Sequence, residues 1–191
     1  MRSLRAPFVL GCALVPLLGA CAGAPLIYNE LVTSSYNPTE YGYGAGRRDL
    51  ATEIRGDPFE IGQERFEAAV LAALARHPPR PQPTNFTTDP GPSARPQYRA
   101  LFLFDAPRGV PRLSLCRRPV PVPQVETGDA VRVTAAFCRE QGVLSAATGE
   151  VDGLEGVDDP AFDALISQVV FALFPPFDPN DDDDRPILVP H

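Results

Sequence analysis

The sequence predicts an α+β domain: a mainly antiparallel sheet of four or five strands with two helices packed on one face. Three observations carry this. Tyr98 to Asp105 is an almost unbroken apolar run of strand length. Ala130–Cys138 and Val143–Val151 alternate apolar and polar residues around Glu140-Gln141-Gly142, the pattern of a hairpin. Residues 63–76 and 160–174 instead repeat apolar positions at i, i+3 and i+4, which puts one stripe on each of two helices. The domain so bounded covers residues 47–176, and helices covering one sheet face make it a two-layer structure.

Each element has its local reason. Asp49 to Arg55 alternates Leu50, Thr52 and Ile54 with Ala51, Glu53 and Arg55, so one face of this strand is buried, and Gly56-Asp57-Pro58 turns it. Gln63–Arg76 places Phe66, Ala69, Val70, Ala73 and Leu74 on one stripe, and Pro78-Pro79 stop the helix after His77. His77 suits a helix C-terminus, where a cation is favoured, better than a catalytic role. Residues 78–96 hold seven prolines and read as a stiff exposed loop.

In Tyr98–Asp105, Tyr98, Ala100, Phe102 and Phe104 share one face, with Leu101 and Leu103 on the other, so the strand is central. Arg112–Cys116 reads as a further short strand, and Pro119, Pro121 and Pro123 make the next segment a connector. In the hairpin Val131, Val133, Ala135 and Phe137 face the core, while Arg132, Thr134, Ala136 and Cys138 face away. Asp159-Pro160 opens the last helix as an N-cap followed by proline, and Pro175-Pro176 end it.

The N-terminus is organised differently. Arg2 and Arg5 precede an apolar run from Ala6 to Leu18, shorter than the roughly 20 residues that span a bilayer. Its end, Leu18-Gly19-Ala20-Cys21, resembles the lipobox of bacterial lipoproteins. That resemblance implies a signal peptide over residues 1–20, cleavage before Cys21 and lipid on the Cys21 sulfur and amine, palmitate included. Ala22 in place of an acid implies the outer membrane, with the domain facing the periplasm. Residues 21–46 then read as a lipidated tether containing Tyr, Gly and Pro, and residues 177–191 as an acidic disordered tail. A looser resemblance, through Gly46-Arg47-Arg48-Asp49-Leu50, Gly56-Asp57-Pro58-Phe59, Ala136-Phe137-Cys138-Arg139 and Asp159-Pro160-Ala161-Phe162, is to small proteobacterial lipoproteins of unknown function.

Charge narrows the partners. The 17 cationic side chains are all arginine, against 24 acidic ones, for a net charge of −7; losing Arg2 and Arg5 with the leader takes it to −9. Such a chain is unsuited to nucleic acid or to anionic headgroups, so the membrane is reached through the lipid on Cys21. An envelope protein is the expected partner.

Cys116 and Cys138 remain in an oxidising compartment, on strands whose parity points both to one side, and are expected to form a structural disulfide. Two free thiols are the competing arrangement. Tyr41 and Tyr43, in the tether, are candidate ligand contacts. The acidic run starting at Asp178, Asn180 and Asp182 departs from a calcium loop, having Asp183 where glycine and Val189 where glutamate are needed. No nucleophile–base motif, metal motif or phosphate-binding loop is present, so no enzyme activity, metal or cofactor is expected. The sequence points to a non-enzymatic accessory or structural envelope module, with a small-ligand or glycan-binding lipoprotein as the alternative.

Overall fold

In chain order the elements are β1 Leu26–Val32, α1 Pro38–Gly44, β2 Asp49–Arg55, α2 Gln63–Arg76, β3 Asn85–Thr87, β4 Tyr98–Phe104, a 3-10 turn Arg112–Ser114, β5 Ala130–Arg139, β6 Gly142–Asp152 and α3 Pro160–Leu173. This computed structural model describes residues 23–80, 82–106, 109–120 and 130–177. The six strands form one sheet in the order β1-β6-β5-β4-β2-β3. The α+β class and the boundaries of β2 and α2 agree with the sequence reading, while the sheet is larger and mixed. β2 runs parallel to both β3 and β4; the other pairs are antiparallel. The parallel pair follows from α2: a helix between two strands is a crossover, which returns the chain in the same direction.

Two further corrections concern local structure. Residues expected as a tether supply β1 and α1. β1 hides its period because its register with β6 shifts between Tyr28 and Leu31, with Asn29 in the left-handed region at φ 56°. α1 carries the same signature as α3, Asn37 followed by Pro38, and the Asn37 carboxamide oxygen accepts from the Glu40 amide at 2.7 Å. Its glycines argued against a helix, but Gly44 is there for space: a Cβ would lie 2.5 Å from the Tyr98 ring. Residues 112–116 are not a strand. Pro111 caps a 3-10 turn in which Ser114 Oγ donates to the Pro111 carbonyl at 2.7 Å. The segment lies over the sheet rather than in it.

The main core lies between the sheet and the helices. Phe66, Val70, Ala73 and Leu74 of α2 and Phe162, Leu165, Ile166, Val169 and Leu173 of α3 meet Phe102, Phe104, Val133, Ala135 and Phe137. Gly149 lets α3 approach β6, since a Cβ there would sit 2.6 Å from Val169. The two helices are also tied by charge. Arg76 and His77 reach one carboxylate, Asp163, at 2.7 and 2.6 Å. Burial pushes the Asp163 carboxyl up, but hydrogen bonds and charge from His77 and Arg76 outweigh it and hold the group below the ordinary carboxylate value. Its contribution to stability is therefore full above the ordinary value and is lost as pH falls through the depressed one. Asp163→Asn is expected to cost at most about 1 kcal/mol near neutral pH, because the site is part-exposed. It should also flatten the pH dependence of the thermal midpoint on the acid side. An unchanged acid slope in the variant would show that the link is unimportant.

Candidate functional site

The face of the sheet turned away from the helices is divided in two. Toward β4, Leu101, Leu103, Ala136 and Cys138 are covered by Ala106, Leu115 and Cys116 in a second, smaller apolar cluster. Toward β1 the outward positions turn polar: Arg132 and Thr134 on β5 stand opposite Glu150 and Thr148 on β6. Tyr28 on β1 is the register partner of Thr148. The shift at Asn29 is what gathers this wall, because it places both Tyr28 and Leu31 opposite outward residues, Thr148 and Ala146.

These polar side chains are buried: Arg132 is 7%, Thr134 8% and Thr148 5% exposed. Tyr28 Oη donates to Glu150 Oε2 at 2.7 Å, and Arg132 Nη1 lies 3.9 Å from the same oxygen. The two threonine hydroxyls are 3.3 Å apart. Beside them the Asp105 carboxyl is pushed up by burial, offset in part by a backbone hydrogen bond and the charge of Arg132.

Gly109–Leu113 forms a lip over this patch, and together they enclose a cleft of about 580 Å³. The lip is anchored at both ends. Arg132 Nη2 donates to the Ala106 carbonyl at 2.9 Å, while Cys116 is bonded to Cys138 with a Cα separation of 5.6 Å. Arg99 Nη2 also donates to the Cys116 carbonyl. Arg112 reaches across to β1, its Nη1 donating to the Glu30 carbonyl at 3.2 Å.

The sites expected from sequence fare differently. The Cys116–Cys138 disulfide is present, with both cysteines fully buried. Tyr41 is 2% exposed and serves the core: its hydroxyl donates to the Gln82 carbonyl, lies 2.9 Å from Thr84 Oγ1, and is pushed up in pKa chiefly by burial. It is not available to a ligand. Tyr43 is half exposed, with the Arg95 guanidinium 3.6 Å from its ring centre. Neither tyrosine lines the cleft. Cys21 and the acidic run from Asp178 lie outside the described residues. Among the described residues no helix is long and apolar enough to cross a membrane, and no group of three or more His, Cys, Asp or Glu could hold a metal.

The residues that sequence reasoning missed are Tyr28, Arg112, Thr148 and Glu150. Arg132 and Thr134 were placed on the correct face without a role. A polar pair at alternate positions of a buried strand was the available signal.

No protein-family model matches this sequence, and no curated protein matches it significantly. Among solved structures it is similar to the PelC dodecamer from Paraburkholderia phytofirmans at 13% identity and a TM-score of 0.44. A point variant of that dodecamer gives 12% and 0.41. Each match covers 78% of this chain and 97% of the other. Both likenesses are too weak to say anything of what this chain does.

Proposed function

We propose that the chain is a membrane-anchored lipoprotein whose domain faces the periplasm as a non-enzymatic accessory module of the envelope. The observation that carries this reading is the run Leu18-Gly19-Ala20-Cys21 behind a short apolar segment with two arginines. A buried disulfide supports the same compartment, since such bonds persist where the surroundings are oxidising. Two or three acyl chains on Cys21 would hold firmly where one would not, at about 0.8 kcal/mol per buried methylene.

Cys21→Ser is expected to move the protein from the carbonate-washed membrane fraction to the soluble fraction, without changing its thermal midpoint. Retention in washed membranes would sink the lipid anchor. A second reading, small-ligand binding, is favoured by a specific observation: the cleft beside β1, where buried polar groups converge under a clamped lip.

A further inference from the structure

We infer that this cleft binds a small hydroxylated carboxylate of the sugar-acid class, with Arg132 and Arg112 as its cationic contacts and the Thr134–Thr148 pair as its hydroxyl contact. The inference rests on the ligand-binding reading and is independent of the lipid anchor.

Charge comes first. In a chain of net charge −7, the lining of this cleft holds two guanidiniums and no carboxylate. The nearest acids are Glu150, which accepts from Tyr28 and lies 3.9 Å from Arg132, and Asp105, which feels the charge of Arg132. Glu150 and Asp105 offset Arg132, while Arg112 on the lip has no carboxylate among the lining residues. A concave site with low-dielectric walls focuses that charge onto whatever enters. Guanidinium forks match carboxylate geometry, so an anionic ligand is selected over a neutral one.

Hydroxyl chemistry comes second. The Thr134 and Thr148 hydroxyls are close enough that one donates to the other. Two hydroxyls own two hydrogens, and their mutual bond uses one. The pair therefore retains a donor as well as lone pairs, the requirement for a ligand whose own hydroxyls both give and accept.

The walls supply the third argument. Leu31, Val110, Pro111 and Leu113 line the cleft, and Leu113 stands at the rim with 62% of its surface exposed. An inorganic anion gains nothing from apolar walls. A ring carrying C–H groups does. The volume of about 580 Å³ also lies within the roughly 300–1,000 Å³ usual for small-molecule sites.

The test titrates the full chain with sodium D-glucuronate, using D-glucose and inorganic phosphate as comparison probes, followed by calorimetry and by amide NMR shifts. Saturable glucuronate binding is expected, at least tenfold tighter than glucose, with the largest shifts at Thr134, Thr148 and Leu31. Arg112→Gln should weaken glucuronate at least threefold. Because Arg132 also holds the lip, Thr148→Val serves as the second variant: it keeps shape, removes one hydroxyl, and should weaken glucuronate several-fold while the domain stays folded. Equal affinity for glucose would overturn the anionic assignment while leaving ligand binding in place. Phosphate binding as tightly would overturn the sugar part. No saturable binding by any probe would overturn both the inference and the reading beneath it.

Discussion

Phe66→Ala is expected to destabilise the domain by about 4 kcal/mol, the cost of emptying an aromatic site that cannot collapse. Phe66 is fully buried on α2, with its ring 4.7 Å from that of Phe104, 6.1 Å from Phe162 and 6.2 Å from Phe59. It therefore joins α2 to the central strand, to α3 and to the loop before α2. Phe104 cannot move into the void, because β4 is held on both sides by β2 and β5. In a domain of this size about 2–4 °C of thermal midpoint is lost per kcal/mol, so a fall of about 8–16 °C is expected. Far-UV circular dichroism with temperature measures it, since the chain has no tryptophan to report by fluorescence. Phe66→Leu, which keeps an apolar side chain of similar bulk, should lose much less. A fall of under 2 °C for the alanine variant would mean that α2 does not close the core as described.

The elements that were legible in the sequence are those whose period is unbroken. α2 and α3 repeat every three or four residues with proline at their ends, β2 alternates without interruption, and β4 is a near-continuous apolar run of strand length. What escaped is where the backbone departs from its period. β1 carries its shift in the middle, at Asn29, so its apolar residues fall out of alternation. Residues 112–116 alternate by accident over a stretch too short to distinguish from a turn.

The cleft was hidden by the same cause. Near the turn, Arg139 pairs with Gly142 and Cys138 with Val143, but Phe137 pairs with Ser145, one residue out of step. Extending the turn's register would set Arg132 against Gly149 and Thr134 against Ala147. The shift beside Cys138 instead sets them against Glu150 and Thr148. A slip of one residue moves every side chain to the other face, so Thr148 and Glu150 join Arg132 and Thr134 only through this shift. Tyr41 departs from its expected exposure for the opposite reason. An aromatic in a Gly-rich stretch looks exposed, yet Tyr41 is drawn inward by Phe137 and Phe174, whose ring centres lie 6.4 and 5.2 Å away.

Replacing both cysteines, Cys116→Ala with Cys138→Ala, is expected to cost about 3 kcal/mol, the chain entropy released when a loop of 22 residues is no longer closed. Both sulfurs are buried against Leu101, Leu103 and Ala136, so alanine is the replacement to use; serine would add a buried hydroxyl needing a partner. The thermal midpoint should fall by about 6–12 °C. The effect should not be uniform. β4, α2 and α3 hold one another through the main core, which the disulfide does not touch. The lip over the cleft is held more lightly, by Leu115 in the smaller apolar cluster and by Arg112 on the Glu30 carbonyl. With the bond gone, position 116 keeps its apolar packing and the Arg99 contact to its carbonyl, and the other end keeps Arg132 on Ala106. Amide exchange should therefore quicken first in residues 109–117, before the main sheet loses protection. The double variant should also bind glucuronate more weakly than the native chain at a temperature where both are folded. That outcome would make the disulfide a clamp on the cleft as well as a staple of the fold. Faster exchange spread evenly over the whole sheet, with binding intact, would confine its role to stability.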